Sequence, residues 1–346
     1  MWKYVLKRMG LALLTSFIIL SLSYILIKCL PFERPVGMIA DQFAYYEKQV
    51  QDGFILRFPM AQSDRGELLF QYTLPSTNTT YYYYLKPAMA QYSQWLTNII
   101  TEWDWGVSSH IKMGVSASSI IAEQLTYTIR VNIFATLISV PLGIVLGIVA
   151  ALNKNNPLDH FLSTAVMVMI SIPSFVLITF LLLIFCYQNQ ILPTQWPADS
   201  APTQQKVLGF ILPVCCLSFG SIAGYCRFVR AELCEVMSSE YLLLARTKGL
   251  TKRQAILRHA LRNAMVPIVP SILAEVIGLL GGSMILENLY GIPGIGRLYV
   301  TALNSKDYNV LFVDMAVFTT IGLLAGVVLD ISYGFIDPRI RMGAKK

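Results

Sequence analysis

The sequence predicts an all-α membrane protein with six transmembrane helices and an extracytoplasmic insertion between helices 1 and 2. Three observations lead there. The 346 residues are 55% hydrophobic and 14% charged, with a mean hydropathy of +0.56, a balance foreign to a soluble domain. Six charge-poor stretches reach the length of about 20 apolar residues that crosses a bilayer. Basic residues gather in the segments that six crossings place on one side.

The first stretch, Met9–Leu30, follows Lys3, Lys7 and Arg8 and is interrupted only by Lys28 near its end. It is longer than the about 7–15 residues of a signal-peptide core, and no small-x-small cleavage site follows it, so it reads as an anchor. The second stretch is Val131–Leu152, the third Phe161–Cys186, the fourth Val207–Cys226, the fifth Ala264–Leu286 and the sixth Val310–Ile331. Only Glu275, Asp314 and Asp330 break the charge-free rule inside them.

Loops rich in Lys and Arg stay in the cytoplasm. Lys154 and His160 flank the turn between spans two and three. Arg227, Arg230, Arg246, Lys248, Lys252, Arg253, Arg258 and Arg262 lie between spans four and five, and Arg339, Arg341, Lys345 and Lys346 end the chain. All fall on the side of the first basic cluster, so both termini are expected in the cytoplasm. The net charge of +7 is then a topology signal. It forms no basic stripe with interleaved aromatics on a soluble module, which argues against nucleic acid as a partner. None of the six cysteines falls in residues 31–119 and none has C-x2-C spacing, so neither a disulfide framework nor a zinc site is expected.

The chain divides at sequence level into residues 1–30 (the N-terminal end and first span), 31–119 (the extracytoplasmic segment) and 120–346 (the transmembrane core). Within residues 31–119, Phe54–Phe58 and Leu68–Leu74 alternate like short strands bounded by Pro59, Gly66, Pro75 and Pro87. Met89, Tyr92, Leu96, Ile99, Ile100 and Trp103 recur at helical spacing, predicting an amphipathic helix from Ala88 to Trp103 that lies along the outer membrane face or packs on the bundle. The run Tyr81–Tyr84 fits an interfacial aromatic belt or a ligand-stacking platform.

Between spans four and five, Glu240–Asn263 reads as helix, break, helix. Ala245 and its neighbours favour helix, Gly249 permits a tight turn, and Thr251 with Gln254 three residues on is a capping box. This segment closely resembles the EAA loop of ABC-importer permeases in the form found in the oligopeptide, dipeptide and nickel branch, E-Y-x3-A-R-x-K-G-x9-H-A-L-x-N-x3-P. Glu240, Tyr241, Ala245, Arg246, Gly249, His259 and Asn263 occupy matching positions. Arg262 stands where the general consensus has proline, and Leu243 and Leu244 where it has small residues.

Four further matches run in order. Asp104-Trp-Gly106-Val-Ser108 resembles D-x-G-x-S, and Gly143, Gly147 and Ala151 resemble G-x3-G-x3-A. The stretch Glu287-Asn-Leu-Tyr290-Gly-Ile-Pro293-Gly294-Ile-Gly296-Arg297-Leu298 resembles E-T-x-F-x-I-P-G-x-G-R-L. Asp337-Pro338-Arg339-Ile340-Arg341 resembles the D-P-R-x-R terminus. Two departures stand out: Leu30-Pro31-Phe-Glu33-Arg-Pro35 replaces a P-G-D-P turn, and the external segment is longer than in common members.

The resemblance implies the type I ABC-importer permease fold, a place in the bacterial cytoplasmic membrane, and a subunit without a catalytic site. It would translocate oligopeptides or dipeptides together with a second homologous permease, two ATP-binding subunits and an extracytoplasmic solute-binding protein. ATP and Mg would be bound by the partner ATPases. The loop at 230–263 would be the ATPase-coupling element and drive alternating access. Gly294 and Gly296 allow a compact external turn with Glu287, Pro293 and Arg297, a gate where the binding protein would dock. Nickel or another small solute fits the same branch.

Gly143 and Gly147, four apart, allow another helix to approach closely. Glu275 lies twelve residues from both Asn263 and Glu287, which at ~1.5 Å per residue puts it near the bilayer centre. A carboxylate there either lines a water-filled pathway and meets a peptide's amino group, or is protonated and bonded to a neighbouring helix or the partner permease. Arg130, Asp314 and Asp330, near span ends, are expected to snorkel to water. No G-x4-G-K-[ST], H-E-x-x-H or G-x-S-x-G motif occurs. The broken helices in inverted repeats of a secondary transporter are not evident either.

Overall fold

A computed structural model describes residues 2–30, 32, 34–61 and 67–336. The chain end Asp337–Arg341, together with Pro31, Glu33 and Gly66, lies outside the described residues. In order, the elements are α1 (Trp2–Lys28), α2 (Ile39–Gln51), β1 (Ile55–Phe58), β2 (Leu68–Leu74), β3 (Thr79–Leu85), α3 (Ala88–Glu102), α4 (Ala117–Leu152), α5 (Pro157–Ser171) and α6 (Ser174–Leu181). They continue with α7 (Thr203–Met237), α8 (Glu240–Thr247), α9 (Lys252–Ala255), α10 (Leu261–Gly278), α11 (Met284–Tyr290), α12 (Ile295–Ser305) and α13 (Tyr308–Ile336). Among the described residues, five helical stretches are long and apolar enough to cross a membrane: Tyr4–Lys28, Ala117–Leu152, Thr203–Met237, Arg258–Gly278 and Tyr308–Ser332.

The third expected span, Phe161–Cys186, is not one helix. Pro157–Ser171 and Ser174–Gln188 meet at a bend of 95°. Pro173 explains the break, because a residue before proline is pushed out of the helical region, and Ile172 is extended at φ −83°, ψ 117°. Beyond α6 the chain widens into a π-helical stretch, Leu182–Gln188.

The chain divides into two compact units, one of residues 1–8, 127–296 and 321–346, the other of 9–126 and 297–320. In the first, α4 and α7 approach where Gly143 and Gly147 have no side chains. A Cβ on Gly143 would lie 2.5 Å from Cβ of Tyr225, and one on Gly147 would lie 2.8 Å from the Cys226 carbonyl. The close-approach reading of these glycines holds.

In the second unit, β1, β3 and β2 form an antiparallel sheet in that order. The two expected strands are present, and the tyrosine run supplies the central one. Tyr83 and Tyr84 are both buried. Neighbouring strand residues point to opposite faces, so both faces are covered. Tyr83 packs with Tyr46 and Phe70, and its hydroxyl donates to Glu47 at 2.6 Å. Tyr83 and Tyr84 are thus core residues, in place of the belt or platform expected from sequence. Helix α3 packs on α1: Tyr24 stacks on Trp95 with ring centroids 4.6 Å apart, and the Tyr92 hydroxyl donates to Ser21 at 3.0 Å. Its buried face centres on Gln91, Trp95 and Asn98. Met89, Ile100 and Trp103 of the expected stripe point outward, because Asn98 turns inward to donate to the Asp52 carbonyl at 2.8 Å.

One intramembrane expectation changes. Asp314 is fully buried instead of reaching water, whereas Asp330 stays partly exposed and adds an ion pair with Arg8 at 3.0 Å. The fifth span also ends early. Helix α10 stops at Gly278, a 3-10 turn covers Leu279–Gly281, and Gly282 turns the chain at φ +63° before α11 begins. Glu275 therefore stands one turn from a helix end, not midway along a continuous helix.

Candidate functional site

The segment that resembles the EAA loop is built as its residues dictate. Helix α8 ends at Thr247, Gly249 takes φ +92° in the turn, and a second helix follows. The Thr251 amide donates to Oε1 of Gln254 at 3.2 Å and the Gln254 amide donates to Oγ1 of Thr251 at 3.3 Å. This is the reciprocal capping box that the sequence signalled. After α9 the helix widens through Ile256–Ala260 into a π-turn before α10. His259, within this stretch, is exposed.

The segment has an inner and an outer side. Leu242, Ala255, Ile256, Ala260 and Ala264 are buried with Leu233 of α7 and Ala151 of α4. Glu240, Tyr241, Gly249, His259 and Asn263 are exposed. Leu243 and Leu244, at 63% and 57% exposure, join Tyr241 on the outer side. Ala245 and Arg246 fall on α8, but their side chains lie outside the described residues. The inner side ties α4 and α7 to this segment, and the outer side leaves large apolar groups uncovered.

The other motif-bearing region centres on Glu287, which is 3% exposed. Its Oε1 accepts from Oγ1 of Thr128 at 2.9 Å and from the Ser283 amide at 3.3 Å. The Ile295 amide in turn donates to the Thr128 hydroxyl at 3.0 Å. Three glycines make room. A Cβ on Gly294 would collide with the Glu287 carboxylate and Oγ1 of Thr128, one on Gly282 would lie 2.8 Å from Oε1 of Glu287, and one on Gly296 2.7 Å from the Met284 amide nitrogen. Of the expected turn, Gly294 lies in the connection and Gly296 in the first turn of α12, while the chain reverses at Gly291, which takes φ +73° after α11. Pro193 caps the neighbouring Tyr290, whose hydroxyl donates to the Pro193 carbonyl at 3.1 Å.

Beside this cradle, Glu275 lines a cleft of about 260 Å³ with Asn132, Thr136 and Ser139 of α4, Leu217 of α7, and Ser283. It also accepts from the Ser221 hydroxyl of α7 at 2.6 Å. Glu275 thus both faces an open cleft and bonds to a neighbouring helix.

Against known proteins, residues 143–342 match the family model described as "Binding-protein-dependent transport system inner membrane component". The chain belongs to this family. A dipeptide transport system permease protein of Lactococcus lactis is 31% identical, over 99% of this chain and all of the relative. One from Bacillus subtilis is 32% identical, over 77% of this chain and 83% of the relative. An oligopeptide transport system permease protein of Haemophilus influenzae is 30% identical, over 99% of this chain and all of the relative. The chain is thus a multi-pass permease component of a binding-protein-dependent ABC importer, and the permease fold expected from its motifs stands. A permease of this family works with ATPase and binding-protein partners and is not itself the enzyme.

The family's permease motifs were legible, but the residues that anchor them were not. Thr128 carries no motif signal. Ser108 falls in the D-x-G-x-S match, but nothing local joins it to Asp307: Oδ2 of Asp307 accepts from the Ser108 hydroxyl at 2.5 Å and from the amides of Ser109, His110 and Ile111 at 3.0–3.1 Å.

Proposed function

We propose that this chain is a peptide-translocating permease subunit, both termini cytoplasmic, that pairs with a second homologous permease, two ATP-binding subunits and an extracytoplasmic solute-binding protein. The observation that carries the reading is the alignment of 99% of this chain with complete dipeptide and oligopeptide permeases at 31% and 30% identity. The outer side of the Glu240–Asn263 segment supports the coupling role. Uncovered Tyr241, Leu243 and Leu244 suit a cleft in an ATPase subunit, since exposed apolar clusters mark interaction surfaces. Glu240, Ala245, Arg246, Gly249, His259 and Asn263 then frame the contact.

When ATP and Mg bound by the partner ATPases draw those subunits together, the docked segment moves. Its buried side, Leu242 to Ala264, is packed on the ends of α4 and α7, so the displacement passes to the helices as a body. The pathway between the two permeases opens outward, and hydrolysis resets it. The Glu275 cleft, lined by polar groups of α4, suits a passing backbone or amino group. The Glu287 cradle with Pro293, Gly294, Gly296 and Arg297 serves as a rigid outer turn for the binding protein.

Proteoliposomes holding the four subunit types and the binding protein test this through ATPase stimulation. Peptides of graded length are expected to stimulate hydrolysis. Stimulation by nickel alone would move the substrate class, and silence to both would overturn the importer reading for this chain.

A further inference from the structure

At the C-terminal end of α1, a cavity of about 50 Å³ opens among Ile27, Lys28, Leu30, Tyr45, Gln49 and Lys306. A water needs about 10–15 Å³ on this measure, so the space holds roughly four water-sized groups, the bulk of a tetrahedral oxyanion. Its polar lining is rich in donors. Lys28 sits over the Tyr24 and Phe54 rings, its Nζ 5.4 and 5.7 Å from their centroids, and no described carboxylate pairs with it. Gln49, 4% exposed, has a buried Nε2 with no hydrogen-bond partner. A buried donor without a partner costs about 1–3 kcal/mol, so the site is built for something that accepts.

The nearby acids lie outside the cavity lining. Asp52 gives Oδ1 to the Lys48 ammonium at 2.5 Å and keeps Oδ2 buried without a partner, and Oδ2 of Asp307 takes four donors from Ser108 to Ile111. Leu30, which lines the cavity just past the end of α1, is exposed, as are Leu22 and Leu26 on α1 at four-residue spacing before it. A free anion has no use for that stripe, whereas an acyl chain lies along it.

We propose that this cavity binds the phosphodiester headgroup of an anionic membrane lipid. Lys28 is the counter-ion, Gln49 the neutral donor, and the Leu22–Leu30 stripe the acyl track. The proposal rests on α1 being a membrane span. It does not depend on the peptide reading, because its test measures binding without transport.

Purified, delipidated full-length chain is titrated with short-chain phosphatidylglycerol below its micelle concentration, and separately with inorganic phosphate, reading the melting temperature. The lipid is expected to stabilise saturably and phosphate at the same concentrations to do nothing. A charged hydrogen bond is worth about 1.5–3 kcal/mol and a neutral one about 1. Lys28→Gln should therefore weaken half-saturation about tenfold or more, and Gln49→Leu about fivefold. Lys154→Gln, at an exposed site elsewhere, should leave it unchanged. If Lys28→Gln does not fold, Lys28→Arg and Gln49→Leu carry the test, with Arg retaining binding. Undiminished binding in the Lys28 and Gln49 variants, or equal stabilisation by phosphate alone, overturns the proposal.

Discussion

Asp159 and Arg230 are joined by two parallel hydrogen bonds, Nε to Oδ1 at 2.6 Å and Nη2 to Oδ2 at 2.8 Å, with the carboxylate 1% exposed. The second oxygen also accepts from the Asn155 amide at 3.0 Å, so one carboxylate pins the α4–α5 turn to α7. Breaking a buried pair from one side costs about 3–5 kcal/mol, because the surviving charge is stranded. Arg230 keeps some contact with water, which places the expected loss for Asp159→Asn at the lower end. The melting temperature of the purified chain should fall, and the double variant Asp159→Asn with Arg230→Met should recover much of the loss. Additive losses would show that the pair is not coupled.

Gly294→Ala places a methyl group against the Glu287 carboxylate and the Thr128 hydroxyl, so it should sharply reduce the yield of folded protein. Thr128→Val keeps the shape but removes the hydrogen bonds to Glu287 and from Ile295, for a loss of about 1–3 kcal/mol in thermal unfolding. A wild-type melting curve for Thr128→Val would contradict the cradle.

On α8, Leu243→Glu and Leu244→Glu alter exposed side chains and should leave the stability of the isolated chain within about 0.5 kcal/mol. Co-purification of the ATPase subunits should be lost. Leu242→Ala, at a buried position beside Leu233, should instead cost about 2–5 kcal/mol.

Gly249 sits at φ +92° with open space where a Cβ would be. Proline, fixed near −65°, cannot adopt that turn. Gly249→Pro is expected to insert in the membrane and assemble, yet uncouple ATP hydrolysis from transport. Normal uptake by this variant would remove the coupling role from the segment.

Burial pushes the Asp52 carboxyl above its ordinary 3.8, outweighing the Lys48 ammonium beside it. The folded chain then holds a proton that the unfolded chain has released. The stability from this group is complete below about pH 3.8 and is lost as pH rises through the raised value. Asp52→Asn should flatten that part of the pH dependence of thermal unfolding, and an unchanged slope would assign it to other groups.

Much of the architecture was legible because hydropathy and turn chemistry act locally. The capping box at Thr251 and Gln254, the turn at Gly249 and the close-packed glycines of α4 are each decided within a few residues. The expectations that changed depend on distant partners. Tyr83 and Tyr84 became core because α2 and two strands cover them, which no local pattern encodes. The fifth span was read through Gly282 because its flanks are apolar, although a glycine at positive φ ended the helix. Asp159 carries no local signal of its role, which depends on α7 bringing Arg230 to it.

Helix α7 does not stop where its apolar stretch ends at Cys226. It continues through Arg227–Met237, eleven residues that add about 16 Å at 1.5 Å per residue. Val229 and Leu233 on this extension are fully buried, Leu233 beside Ala151 at the end of α4. On the proposed reading, thickening or thinning the bilayer by a few ångströms should then shift the depth of the Glu240–Asn263 segment without altering the shape it offers to an ATPase subunit.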